Sequence, residues 1–120
     1  MRILFHAPPL TGHTLPMVPL ARALQAHGHT VAWAAAGDTL ELLQRRGFEV
    51  HVAGPDRAWA MTELARQWPE RSSMDTMQVV AELGPRLFAG VYAPATLPSL
   101  MELLDAWRPD LLVHDVMAHA

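Results

Sequence analysis

Two residues of this sequence, His13 and Asp115, have the types and the placement that acid–base chemistry requires. A histidine oriented by a carboxylate is a general base, because the carboxylate fixes the imidazole tautomer and stabilises the imidazolium that forms. Such a base activates a weak nucleophile such as an alcohol or a phenol. The alternative is that His13 is an ordinary residue at a helix start and that Asp115 only caps the next helix.

The pair requires a fold that brings the two ends of the chain together. Short apolar segments predict strands at residues 2–6, 30–36, 48–52 and 111–114. A helical pattern of apolar residues begins after Thr14, its predicted N-cap, and ends at Gly28. Asp38 is the predicted cap of a second helix, which ends at Gly47.

Strands and helices that alternate over short links predict an α/β fold, a Rossmann-like parallel sheet with flanking helices. Three successive strands wound to one side give the order third, second, first, fourth. Ligands bind such sheets at the carboxyl ends of the strands, where the strand order reverses. That point lies between the first and fourth strands, so His13 and Asp115 should lie side by side. His6 ends the first strand and borders the same cleft.

The middle of the chain is less regular. Residues 53–75 predict a loop with one short helix, and residues 76–83 a helix that Gly84 and Pro85 break. A further helix, with apolar residues at positions 97, 100, 101 and 104, stops at Arg108. Tryptophan and methionine side chains between residues 59 and 77 either line an apolar ligand pocket or fill a core.

Composition excludes several classes of protein. The 120 residues are 51% hydrophobic, contain no cysteine and carry a formal charge of −3. Thiolate catalysis and cysteine-ligated zinc are therefore excluded, and nucleic-acid binding is not expected without a basic excess. The apolar runs are shorter than a membrane span and the N-terminus is not a secretory signal, so we expect a cytoplasmic protein without membrane contact.

Nucleotide-binding and metal-binding motifs are weak. Gly12 is the only glycine between Arg2 and His27, so the sequence lacks the glycine-rich loops of NAD-binding and ATP-binding folds. Gly12 either lets an anionic ligand approach the first helix or is a plain turn glycine. Asp115 and His119 are one helical turn apart, but the sequence supplies no further ligands, so no metal site is expected.

Two segments carry a family resemblance. The first is GHTLPMVPLARALQAHGHTV, from Gly12 to Val31, and the second is RPDLLVHDVMAHA, from Arg108 to Ala120. Both resemble the GT-B glycosyltransferases of the UDP-glycosyltransferase superfamily, most of all the bacterial branch that acts on macrolides, polyketides and enediynes. The resemblance is specific at both ends of the chain and loose in the middle.

The resemblance implies a function and a site. The function is inverting transfer of a sugar from a nucleoside diphosphate sugar (a UDP- or dTDP-sugar) to a hydroxyl of a hydrophobic natural product. His13 would be the base, Asp115 its partner, and Gly12 would lie near the donor diphosphate. No metal or other cofactor is implied. The residues suggested to line the acceptor pocket are Trp59, Met61, Trp68 and Met77.

The resemblance also implies a domain organisation. Residues 1–120 would be an incomplete N-terminal, acceptor-side domain of a GT-B fold, without the C-terminal domain that binds the nucleotide sugar. We therefore expect little turnover from these residues alone and an open sheet edge, which a second copy or a partner chain would cover. The alternative function is a non-catalytic remnant that binds an acceptor or a partner.

Overall fold

A four-stranded parallel sheet forms the centre of the molecule. The structure, a computed structural model, describes residues 1–118. The strands are β1 (Arg2–His6), β2 (Thr30–Ala35), β3 (Glu49–Val52) and β4 (Leu111–His114), in the order β3-β2-β1-β4. Both the strand order and the parallel direction confirm the sequence prediction.

Helices connect the strands and cover both faces of the sheet. The first helical stretch comprises α1 (Thr11–Thr14), a 3-10 turn (Leu15–Met17) and α2 (Val18–Ala26). Helix α3 (Gly37–Arg45) joins β2 to β3. The middle of the chain forms α4 (Arg57–Gln67), a 3-10 turn (Pro69–Ser73) and α5 (Thr76–Leu87). A π-helical turn (Phe88–Tyr92) then leads into α6 (Ala93–Trp107).

The predicted helix ends at Gly28 and Gly47 are correct, whereas two predicted helix starts are wrong. Gly28 and Gly47 have φ angles of 82° and 74°, the left-handed conformation that ends a helix. Thr14, however, lies inside the first helical stretch, because the carbonyl of Leu10 already accepts hydrogen bonds from the next turn. Asp38 lies in the first turn of α3 and makes no side-chain cap.

The predicted break at Gly84 and Pro85 is also wrong. Pro85 lies inside α5, and helical structure continues without interruption from Thr76 to Trp107. A proline removes one backbone donor from a helix. Here the amide of Phe88 donates to the carbonyl of Gly84, so hydrogen bonding resumes within one turn and the chain passes into the π-helical turn.

Apolar side chains form a core on each face of the sheet. On one face, Phe5 and Trp33 stack with ring centroids 4.9 Å apart and pack against α2 and α3. On the other face, Leu4 of β1 packs against Leu100 and Trp107 of α6. A third cluster joins α4, α5 and the π-helical turn beyond the carboxyl ends of the strands. The sheet therefore has an apolar core on each face, and the third cluster packs the middle of the chain together.

By length and composition alone, the helical stretch from Thr76 to Trp107 is able to cross a membrane, because an 18-residue window within it has a mean hydropathy of 1.3. It is not a clear membrane span. Leu87 and Val91 belong to the third cluster, and Leu100 and Trp107 pack on the sheet. The stretch thus contributes to the core of the chain.

Candidate active site

His13 lies in the first turn after β1. After β1 ends at His6, the chain passes Pro8 and Pro9. Proline has no backbone N–H to donate, so the strand pairing stops there. The carbonyl of Leu10 then accepts from the amides of His13 and Thr14, at 3.0 and 3.1 Å. This turn presents the imidazole of His13 at the carboxyl edge of the sheet.

Asp115 is held in place by three hydrogen bonds that follow β4. Its amide donates to the carbonyl of His6 at 3.0 Å, which extends the pairing of β1 with β4 by one residue. Its Oδ1 accepts from the amide of Met117 at 2.8 Å, and its carbonyl accepts from Ala118 at 2.9 Å. Hydrogen bonds to the backbone therefore fix the orientation of the Asp115 carboxylate without help from another side chain.

The structure brings the imidazole and the carboxylate together, as the topology predicts. Nδ1 of His13 lies 3.1 Å from Oδ1 of Asp115. The side chains are 30% and 17% exposed, so the imidazole is the more accessible partner. Because Nδ1 faces the carboxylate, Nε2 is the ring nitrogen left to receive a proton. Phe88 covers one side of the imidazole, with ring centroids 5.7 Å apart.

A small, mostly apolar pocket adjoins this pair. Its walls come from the ends of β1, β3 and β4 and from the start of α6, and are formed by His6, Pro8, Pro9, Ala53, Pro55, Tyr92, Ala93, Thr96, Met117 and Ala118. Two residues connect the pocket to the pair. Met117 lines the pocket and donates to Asp115, and Phe88 contacts both His13 and Tyr92. The pocket therefore lies near the pair, although neither His13 nor Asp115 forms part of its wall.

The pocket contains polar residues that sequence reasoning only partly found. His6 was expected at the cleft, and the structure buries it there, where burial lowers the pKa of its imidazole. Tyr92 and Thr96 were missed. Tyr92 and Thr96 lie in the helical stretch that the sequence prediction divides at Gly84 and Pro85. No sequence pattern therefore places these two residues at the cleft.

The four suggested acceptor residues do not lie together. Trp59 and Met77 are 48% and 76% exposed on α4 and α5. Met61 lines a separate open groove beside Asp38 and Arg57. Trp68 is buried in the third cluster, under the guanidinium of Arg86, so for this residue the structure favours the core-filling alternative.

Gly12 lies exposed in the first turn of α1, one residue before His13. A Cβ atom added to it would meet no other group within 4 Å. The backbone is therefore open to an approaching ligand from this side. Its place near the donor diphosphate stays a prediction.

Of Asp115 and His119, the two residues with the spacing of metal ligands, His119 lies outside the described residues. Among residues 1–118, no group of three or more histidine, aspartate or glutamate side chains could hold a metal ion. Transfer without a metal stays a prediction for this chain.

The sequence is similar to those of glycosyltransferases from Streptomyces. No protein-family model matches the sequence. The chain is 36% identical over 119 residues to an L-demethylnoviosyl transferase of Streptomyces niveus and 31% identical to the elloramycin glycosyltransferase ElmGT of Streptomyces olivaceus. Its homologues are glycosyltransferases of natural-product pathways.

The matches extend over nearly all of this chain but over a minor part of the glycosyltransferases. They cover 98% and 94% of the chain and 29% and 30% of these two relatives. The solved glycosyltransferase VinC, in complex with dTDP, superposes with a TM-score of 0.70 at 26% identity, covering 98% of this chain and 30% of VinC. The Rossmann-like α/β fold of this chain is therefore shared with a part of solved glycosyltransferases.

Proposed function

We propose that this chain is the acceptor-side part of a glycosyltransferase that uses the His13–Asp115 pair as its general base. The observation that carries the proposal is the 3.1 Å contact between Nδ1 of His13 and Oδ1 of Asp115. The contact lies where ligands bind in open parallel sheets, in a chain whose homologues are glycosyltransferases.

In the proposed reaction, Nε2 of His13 removes the proton of an acceptor hydroxyl while the oxygen attacks the anomeric carbon of the donor sugar. The bond between that carbon and the diphosphate oxygen breaks on the opposite face, and the nucleoside diphosphate leaves with the bonding electrons. One displacement inverts the anomeric configuration. Asp115 holds the imidazole in the productive tautomer and balances its positive charge.

The proposed donor is a nucleoside diphosphate sugar, either a dTDP-sugar or a UDP-sugar, and a hexose in the simplest case. The structural neighbour VinC was solved with dTDP, which supports this class of donor. The chain spans less than a third of its curated relatives, so we assign the nucleotide to a second domain that residues 1–120 do not supply. Gly12 would leave room for the diphosphate beside His13.

The proposed acceptor is a hydrophobic natural product with a free hydroxyl. The pocket near His13 has mostly apolar walls of prolines, alanines and Met117, and its free volume of about 10 Å³ holds about one water-sized group, so an acceptor ring would lie at its mouth. Trp59, Met61 and Met77 stay proposed acceptor contacts at the rim formed by α4 and α5. We assign the reaction to the cytoplasm, where homologous biosynthetic enzymes would meet their nucleotide sugars.

The proposal is tested with the protein produced together with any sequence that follows residue 120 in its gene. The protein is incubated with a panel of dTDP- and UDP-hexoses and naphthol as a simple acceptor. We expect nucleoside diphosphate release that depends on naphthol, and a naphthyl glycoside whose anomeric proton coupling reports inversion. Naphthol binding without release from any donor would contradict the proposal and favour the non-catalytic alternative.

A further inference from the structure

The hydrogen bond to Asp115 restrains the imidazole of His13 at one ring nitrogen only. Nδ1 lies 3.1 Å from Oδ1 of Asp115, whereas two side-chain torsions orient a histidine ring. With Nδ1 held, the ring can still pivot about the line from its Cα atom to that nitrogen, and Nε2 moves as the ring pivots. The side chain is also partly exposed, so it has open space on one side. A base that points in one direction therefore requires a second contact.

Phe88 supplies a second contact. Its ring centroid lies 5.7 Å from that of the imidazole, and the two ring planes are tilted by 59°. Aromatic rings pack favourably in tilted arrangements with centroids about 4.5–7 Å apart. The phenyl ring blocks the pivot of the imidazole on its side, because further rotation would bring the two rings into collision. Asp115 thus restrains Nδ1, and Phe88 restrains the plane of the ring.

Phe88 is itself held by its surroundings. Its side chain is buried in the third cluster, and its ring stacks on that of Tyr92, with centroids 6.1 Å apart and planes 27° apart. Side chains in a close-packed core occupy defined rotamers. Phe88 is therefore a rigid wall beside His13 and not a mobile side chain at the cleft.

The π-helical turn determines where the ring of Phe88 lies. The amide of Ala93 donates to the carbonyl of Phe88, five residues earlier, which is the hydrogen bond of a π-helix. An α-helix would pair residues four apart. Single π-helical turns inside long helices occur frequently at functional sites. Here the turn begins at the residue whose ring contacts His13.

We propose that Phe88 is a positioning residue for the His13 base: its ring fixes the imidazole plane and thereby aims Nε2 at the acceptor hydroxyl. Phe88 acts through His13 and not by binding the acceptor. Reaction rates in enzymes are sensitive to small errors in the placement of a reacting group. The inference rests on the proposed function, because it assigns Phe88 a role toward the proposed base.

The test compares Phe88→Leu with Leu64→Ala, both in protein produced with any sequence that follows residue 120 in its gene. Leu64 is a buried member of the same cluster on α4, so its truncation controls for lost packing. We expect Phe88→Leu to lower kcat by about 10- to 100-fold with little change in the acceptor KM. Leu64→Ala should lower the melting temperature at least as much and leave kcat close to that of the unmodified protein. Phe88→Tyr, which keeps the ring, should recover most of the turnover.

A second comparison separates positioning from a direct contact with the acceptor. In a His13→Ala background the imidazole is gone, so adding Phe88→Leu should cause no further fall in the residual turnover. A side chain that bound the acceptor, or that only stabilised the fold, would lower turnover by the same factor in both backgrounds. In protein labelled at its histidine rings, we also expect nuclear Overhauser contacts between the imidazole protons of His13 and the ring of Phe88.

Three results would overturn the inference. They are full turnover in folded Phe88→Leu, an equal loss in both backgrounds, and the absence of ring-to-ring contacts in the NMR spectra. Each of them leaves the proposed function intact if sugar transfer still depends on His13. Conversely, full turnover of His13→Ala would overturn the proposed base, and the inference with it, whatever the effect of Phe88→Leu.

Discussion

His13 and Asp115 stand 102 positions apart in the chain, yet Nδ1 of the first lies 3.1 Å from Oδ1 of the second. The contact depends on β1 and β4 being neighbours, because each residue follows one of these strands. The amide of Met117 fixes the carboxylate from the other side at 2.8 Å. Asp115 is thus oriented by the backbone and in turn orients the imidazole.

Replacement of the carboxylate by an amide should impair transfer without displacing the imidazole. Asp115→Asn keeps the shape and removes the charge that stabilises the imidazolium. We expect the turnover of an active protein to fall by about 10² to 10⁴, because a similar replacement has this scale of effect in other histidine–carboxylate pairs. Steady-state kinetics with saturating donor measures the loss. Asp105→Asn, at an exposed carboxylate of α6, is the control and should retain full turnover.

The sheet and the His13–Asp115 contact were predictable because strand alternation and topology determine both. The errors come from longer-range packing. Thr14 has the side chain of a cap, but the turn at Leu10 starts the helix earlier. Pro85 has the local properties of a break, but the cluster around α4 holds α5 and the π-helical turn as one stretch.

The pocket could be predicted only in part. His6 was expected at the cleft from its position at the end of a strand. Tyr92 lies at the same pocket because it belongs to the unbroken helical stretch from Thr76 to Trp107. A sequence prediction that ends the helix at residue 83 cannot position Tyr92 relative to the pocket. Trp68 is buried because α4 and α5 close around it, a contact that its local sequence does not indicate.

Thr96, which lines the pocket, packs closely against Gly54, where a side chain is absent. The backbone at Gly54 is also in a left-handed conformation. Its φ angle is 81°, and a Cβ atom there would collide with the side chain of Thr96. Gly28 has a φ angle of 82° and open space around it, so Gly28→Ala measures backbone strain alone. We expect Gly54→Ala to destabilise the chain by about 1–3 kcal/mol more than Gly28→Ala does.

Thermal or urea unfolding of both variants measures this difference. The double variant Gly54→Ala with Thr96→Ala should recover part of the loss, because the hydroxyl and methyl of Thr96 form most of the collision. Equal destabilisation by Gly54→Ala and Gly28→Ala would show that Thr96 does not limit the space at this position.

The stability of the chain should depend on pH through His6. Because burial lowers its folded-state pKa, the unfolded chain binds this proton more readily than the folded chain does. Stability from this group is therefore complete above about pH 6.5, the usual histidine value, and falls as the pH drops towards the lower folded-state pKa. Unfolding at several pH values, compared with His6→Asn, isolates this contribution. A wild-type slope no steeper than that of His6→Asn below pH 6.5 would contradict the expected protonation state.

The central claim, that His13 is the general base of a glycosyl transfer, is tested most directly by removing its imidazole. The protein produced with any sequence that follows residue 120 in its gene is compared with its His13→Ala variant, by the rate of acceptor-dependent nucleoside diphosphate release. We predict a fall in turnover of about 10²-fold or more, with little change in donor affinity. Turnover that survives the substitution would contradict the assigned role of His13.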